Sequence, residues 1–159
     1  MSLFLLERGR LSEPLLYTST YIERNKTQYY ECLQRTRTHA DWLGWISFFL
    51  EAVRDSATNA IADAKRLLDL RERLRGHAEL IGKHREQRLV DALFDNPYVT
   101  VHRAETVLSV SDMTARKSIE RLRQIGILEE ITGKAWGRIW VAAPIRQALQ
   151  SSPTERKGA

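Results

Sequence analysis

The chain of 159 residues is 43% hydrophobic and 28% charged, with four Trp, a balance that can bury a core and excludes a chain disordered throughout. No apolar run approaches the roughly 20 residues that span a bilayer. That leaves no membrane partner expected, and the single Cys32, which excludes an intramolecular disulfide, fits a reducing, cytoplasmic setting. The net charge of +5 is uneven: residues 1–80 hold 12 Lys/Arg against 11 Asp/Glu, and residues 81–159 hold 13 against 9. The basic excess therefore lies in the second half, as a polyanionic partner requires.

In chain order, residues 3–8 read as an apolar helical fragment of about two turns, ended by Gly9. A helix apolar all round expects cover from other elements. Either the chain is a piece whose preceding part is missing, or Ser2 caps a short helix packed on its own domain. The stretch at Met1 is too short for a secretory signal and lacks a basic start. Ser12-Glu13-Pro14 is a break. Ser19 then caps a helix over residues 20–37, with Ile22, Tyr29 and Leu33 on one face. Asp41 caps a long helix in which Trp42, Trp45, Ile46, Phe49, Leu50 and Val53 begin a three-to-four period that continues to Gly76. At 1.5 Å per residue this element reaches about 50 Å. Such a helix needs a packing surface beyond its short neighbours, and a second copy of the chain or a missing core could supply it.

Residues 76–83 form a polar joint and the expected domain boundary. A helix follows from His84 or Arg85 to Phe94, with Leu89, Leu93 and Phe94 facing a core, and it ends before Pro97. Thr100 caps a shorter helix over residues 101–108, and Ser109-Val110 forms a turn. Ser111-Asp112 starts a helix to Ile125, in which Ala115, Ile119, Leu122 and Ile125 make an apolar stripe. Gly126 ends it as a left-handed cap. Ile127-Leu128 begins a strand, residues 132–137 turn, and residues 138–141 return as a second strand. Residues 145–149 form a last short helix before a loose tail at 150–159. Two helices joined by a tight turn, then a basic hairpin, are the order of a winged helix-turn-helix. The expected class is mainly α, with a helical segment at 1–80 and a winged helix at 84–149 carrying a small β-hairpin.

The first 50 residues carry a denser set of matches. They are Glu7-Arg8-Gly9, the run from Leu11 to Tyr17, Tyr21-Ile22-Glu23-Arg24, Tyr29-Tyr30, Leu33, Arg37, Asp41-Trp42, Trp45 and Phe48-Phe49-Leu50. At this unbroken spacing the stretch resembles the segment that follows the catalytic motif in Fic-domain proteins, many of which also carry a winged helix after it. The resemblance implies a protein adenylyltransferase in a full-length relative, moving AMP from ATP to a protein hydroxyl with a divalent metal such as Mg. That chemistry uses a motif of the form His-Pro-Phe-x-Asp/Glu-Gly-Asn-Gly-Arg, which occurs nowhere in these residues. The resemblance places it upstream of Met1, so no residue here inherits its roles and no cofactor is expected.

The recognition-helix residues Thr114, Arg116, Lys117 and Arg121 have the donors and reach for phosphates and base edges. In the wing, Thr132, Lys134, Trp136 and Arg138 are placed to track a phosphate backbone or enter a minor groove, with Lys134 and Arg138 expected on phosphates. For Trp136, packing against Trp140 or the hairpin base is the alternative to that contact, and Trp140 is expected to lie in the core. Glu120, Glu129 and Glu130 weaken the local field. His39, His77, His84 and His102 are scattered without metal-ligand spacing. Gly133-Lys134 lacks the Gly-rich run of a phosphate loop. Glu129 and Glu130 alternate along a strand and form no carboxylate dyad. The expected function is a non-catalytic module that binds duplex DNA, self-associating through the long helix so that two heads meet paired half-sites. The alternative is a part of an adenylyltransferase whose active site lies elsewhere, with the winged helix serving a protein target or dimerisation.

Overall fold

The computed structural model describes residues 7–9, 18–81 and 84–150. Residues 3–6 of the expected apolar fragment, the break at 12–14, part of the polar joint and the tail from 151 lie outside the described residues. Among the described residues the fold is mainly α, with seven helices and one small three-stranded antiparallel sheet. No described helix is long and apolar enough to cross a membrane. The chain divides into two compact units, Met1–Ala64 and Lys65–Ala159.

In the first unit, α1 (Ser19–Arg24) and α2 (Lys26–His39) replace the single helix expected over 20–37. Asn25 separates them. Its backbone sits at φ −112°, ψ 36°, and its Nδ2 donates to the Tyr21 carbonyl at 2.9 Å, a local bond that competes with helix continuation. Ala40, left-handed at φ 53°, ends α2. Asp41 opens α3 (Trp42–Ile81) as its sequence position predicts: Oδ1 accepts from the Gly44 N–H at 3.0 Å, and Oδ2 pairs with Arg35 Nη2 at 2.6 Å. Gly44 makes room for that carboxylate, since a Cβ there would stand 2.7 Å from Asp41 Oδ2. Phe48, Ala52 and Ser56, four residues apart, form the buried face of α3 in this unit. Tyr21 and Tyr29 lie with ring centroids 5.6 and 6.2 Å from Phe48, and Trp45 lies 5.6 Å from Tyr29. Trp42 (61% exposed), Leu43 (79%), Ile46 and Leu50 remain open to water.

The second unit takes up the C-terminal part of α3. The helix does not stop at Gly76 but runs on to Ile81. Leu70, Leu74 and Ala78 recur every four residues and are buried, and Arg71 Nε and Arg75 Nη1 reach Asp91 at 2.8 and 3.1 Å. These tertiary contacts outweigh the roughly 1 kcal/mol that a helical Gly costs relative to Ala. The expected boundary near residue 80 and the division at Ala64–Lys65 differ for the same reason.

Asp91 belongs to α4 (His84–Asp95), whose Leu89, Val90 and Leu93 are buried and whose Phe94 packs partly against the same core. After β1 (Tyr98–Val99) comes α5 (Val101–Leu108), capped as expected by Thr100, whose hydroxyl accepts from the Arg103 N–H at 3.2 Å. Arg103 ties this pair together, donating to the carbonyls of Ala92 and Tyr98 at 3.1 and 3.0 Å. Ser109, left-handed at φ 54°, turns the chain into α6 (Asp112–Gln124). Then β2 (Leu128–Glu130), β3 (Trp140–Ala142) and α7 (Ala143–Gln150) complete the unit. The sheet order is β1-β3-β2, with Val99 opposite Trp140 and Leu128 opposite Ala142. Helices α4, α5 and α6 with a sheet of this order, and a hairpin loop between β2 and β3, make the winged helix-turn-helix that the sequence predicts.

Gly76 is helical, and a methyl group in place of its hydrogen would meet nothing within 4 Å. Gly76→Ala is expected to raise stability by about 0.5–1 kcal/mol, whereas Leu74→Ala, which empties a core site, lowers it by about 2–5 kcal/mol. Thermal or urea melts of the two variants check both signs.

Candidate nucleic-acid interface

The outward face of α6 follows from its inward one. Ala115, Ile119 and Leu122 are sealed in the core and Ile125 packs partly against it, as the stripe predicts. Gly126 at φ +74° ends the helix, also as predicted. Ser111 occupies the capping position with extended backbone, but its hydroxyl meets Thr114 Oγ1 at 3.2 Å instead of a backbone N–H. Asp112, Met113, Arg116, Lys117, Glu120, Arg121, Arg123 and Gln124 are exposed, and Thr114 is half-buried.

The cations of this face differ in what they hold. Arg116 makes a two-bond fork to Asp112 one turn earlier, Nε to Oδ1 at 2.6 Å and Nη2 to Oδ2 at 3.0 Å. The hydrogen bond from Arg116 lowers the Asp112 carboxyl below its ordinary range and raises the guanidinium. Arg123 forks Glu120 in the same way at 2.8 and 2.7 Å and lowers its carboxyl. Such a fork uses one edge of each guanidinium and leaves the Nη1 donors for another acceptor. Lys117 makes no hydrogen bond or ion pair among the described residues.

Arg121 is placed differently. Its Nη1 donates to Oε1 of Glu86 at 2.9 Å, and Ser118 Oγ donates to the same oxygen at 3.1 Å. Glu86 lies on α4 and is 0% exposed. A carboxylate this buried needs its charge and lone pairs met, so Arg121 serves the fold first, while part of its side chain still reaches solvent. Glu86 was legible only indirectly: it stands three and four residues before Leu89 and Val90, a charge on the apolar face of its helix.

The wing, residues 131–139, is braced. Ile131 N–H donates to the Ile139 carbonyl at 3.0 Å. Glu130 Oε1 accepts from the N–H groups of Thr132 and Gly133 at 2.9 and 2.8 Å and from the Thr132 hydroxyl. The Thr132 hydroxyl bond is the main cause that lowers the Glu130 carboxyl. Glu130 is thereby a turn acceptor as well as a negative charge near the wing. Across the tip, Arg138 Nε donates to the Lys134 carbonyl at 2.8 Å. Lys134 and Arg138 are exposed. Trp140 is buried, as predicted. Trp136 is not packed on it: the residue is 86% exposed, at a tip closed by the Arg138 Nε bond to the Lys134 carbonyl. Among the described residues no group of three or more His, Cys, Asp or Glu could hold a metal.

The six residues singled out by the sequence thus fall on one helix and one hairpin of the second unit, with Arg121 committed to Glu86. Arg123 and Met113 are further exposed residues there that sequence reasoning did not select. Compared with the known protein families, the chain matches none.

Arg121→Ala is expected to destabilise the second unit by about 2–4 kcal/mol, because it removes a cation from a buried carboxylate. Lys117→Ala is expected to leave the melting point within about 1 °C of wild type, since exposed sites lacking such partners are nearly neutral. Equal melts for the two variants would remove the structural role of Arg121.

Proposed function

We propose that the second unit is a duplex-DNA-binding head in which α6 enters the major groove and Lys134 and Arg138 of the wing meet phosphates. The observation that carries this reading is the exposed face of α6. Arg116 and Lys117 stand there on a helix whose opposite side is fixed in a core, with a braced cationic hairpin following. Donors on a rigid helix match the donor and acceptor pattern of base edges, and cations on a loop match the backbone. Thr114, half-buried beside Ser111, contributes a hydroxyl at the start of the helix. The paired Asp112 and Glu120 moderate the field, so binding depends on the free edges of Arg116 and Arg123 and on Lys117.

In the same proposal the chain is a non-catalytic, regulatory and cytoplasmic module whose first 50 residues resemble the post-motif segment of Fic-domain proteins. The residues that carry the resemblance include Tyr21, Tyr29, Trp45 and Phe48, which form the aromatic cluster of the first unit. Self-association completes the reading, supported by the apolar Trp42, Leu43, Ile46 and Leu50 left in water by their own unit.

Replacing both Arg116 and Lys117 by Ala is expected to weaken binding to random duplex DNA. It should also reduce the slope of log K against log salt by up to about 2, close to one per lost phosphate contact. An unchanged slope and midpoint in a salt-titrated gel shift would exclude α6 from the interface. For self-association, light scattering at tens of micromolar protein is expected to give at least twice the chain mass; a clean monomer contradicts the dimer.

A further inference from the structure

The wing tip has a feature that phosphate contact alone does not account for. A Trp buries more apolar area than almost any other side chain when it packs, yet Trp136 is 86% exposed. The loop holds it there. Gly133 and Gly137, at φ +59° and +64°, bracket the tip in conformations that L side chains rarely adopt. The Arg138 Nε bond to the Lys134 carbonyl closes the chain across Ala135, Trp136 and Gly137, and the Glu130 carboxylate fixes the loop's entry. Between residues 131 and 139 the charged side chains are Lys134 and Arg138, both cationic, with no carboxylate.

A cationic loop that presents an indole is driven toward a polyanion and carries an apolar plane with it. On a duplex, that plane gains contact area where it meets a base face, by opening a base step from the minor groove. We propose that Trp136 is an aromatic wedge, so that the preferred ligand of this head is duplex DNA that yields at a base step, such as a mismatch or a TA step, over a stiff A-tract. This rests on the DNA-binding reading above and adds the class of duplex it selects. Flexible steps cost less to unstack, so the wedge converts deformability into affinity.

The test compares two duplexes of equal length and charge, one with a central mismatch and one an A-tract, by fluorescence anisotropy across a salt series. Wild type, Trp136→Ala and Trp136→Phe are measured as the full chain. The expected result is a preference of roughly tenfold for the mismatched duplex in wild type. Trp136→Ala should lose it and Trp136→Phe should keep part of it, with the same salt slope in all three. Because Trp136 is exposed, its variants should melt like wild type. A wild type that binds both duplexes equally, or a Trp136→Ala protein that keeps the preference, overturns the wedge and leaves DNA binding standing. Absence of salt-dependent binding to either duplex overturns both. Loss of self-association in Trp136→Ala with unchanged DNA binding would assign the indole to a protein contact and overturn the proposal.

Discussion

Ser118 and Arg121 lie one turn apart on α6, and both donate to one carboxylate oxygen of Glu86, which water does not reach. A charge in that position is costly unless its partners stay in place. With Ser118 and Arg121 turned inward toward α4, the rotation of α6 about its own axis is set. Arg116, Lys117 and Glu120 must then face away from the core. Apolar packing of Ala115, Ile119 and Leu122 holds the helix against the core, but packing is tolerant of small rotations in a way that two hydrogen bonds to one atom are not. The presentation of the whole candidate interface depends on this buried cluster.

The outward face it presents is a balanced one. Two carboxylates, Asp112 and Glu120, each take an arginine from the next turn. Pairs this exposed add little to stability. Their effect is on the field: they hold the guanidinium groups in fixed orientation and reduce the attraction that an unpaired basic helix would exert at long range. Specific geometry is gained at the expense of indiscriminate charge. The wing complements this arrangement, since its own acid, Glu130, is turned onto backbone amides and its tip is left cationic.

What the sequence disclosed follows the range of the forces involved. Thr100, Asp41 and Gly126 could be placed because a cap or a left-handed residue acts within a few positions of itself. The stripe of Ala115, Ile119 and Leu122 could be placed because one helix face against one core has a simple period. Asn25 and Gly76 could not. At Asn25 a side-chain bond to Tyr21 interrupts an otherwise good helical pattern, while at Gly76 contacts from Leu70, Leu74, Ala78 and Asp91 override a residue that usually ends one. That Arg121 also holds Glu86 could not be read, because that partner stands 35 positions away on another helix. Trp136 reads as packed on Trp140 or the hairpin base because apolar area usually seeks burial, yet it stands 86% exposed at the tip.

The bonds that shape the hairpin loop come from residues 130, 132, 133 and 139 and from the Arg138 to Lys134 link, which uses a main-chain oxygen at position 134. None of them needs the side chains of residues 134, 135 or 136. The frame and its cargo are therefore encoded separately. Such a loop can exchange its three apical side chains while keeping its shape, so drift at those positions could change partner choice long before it threatened folding.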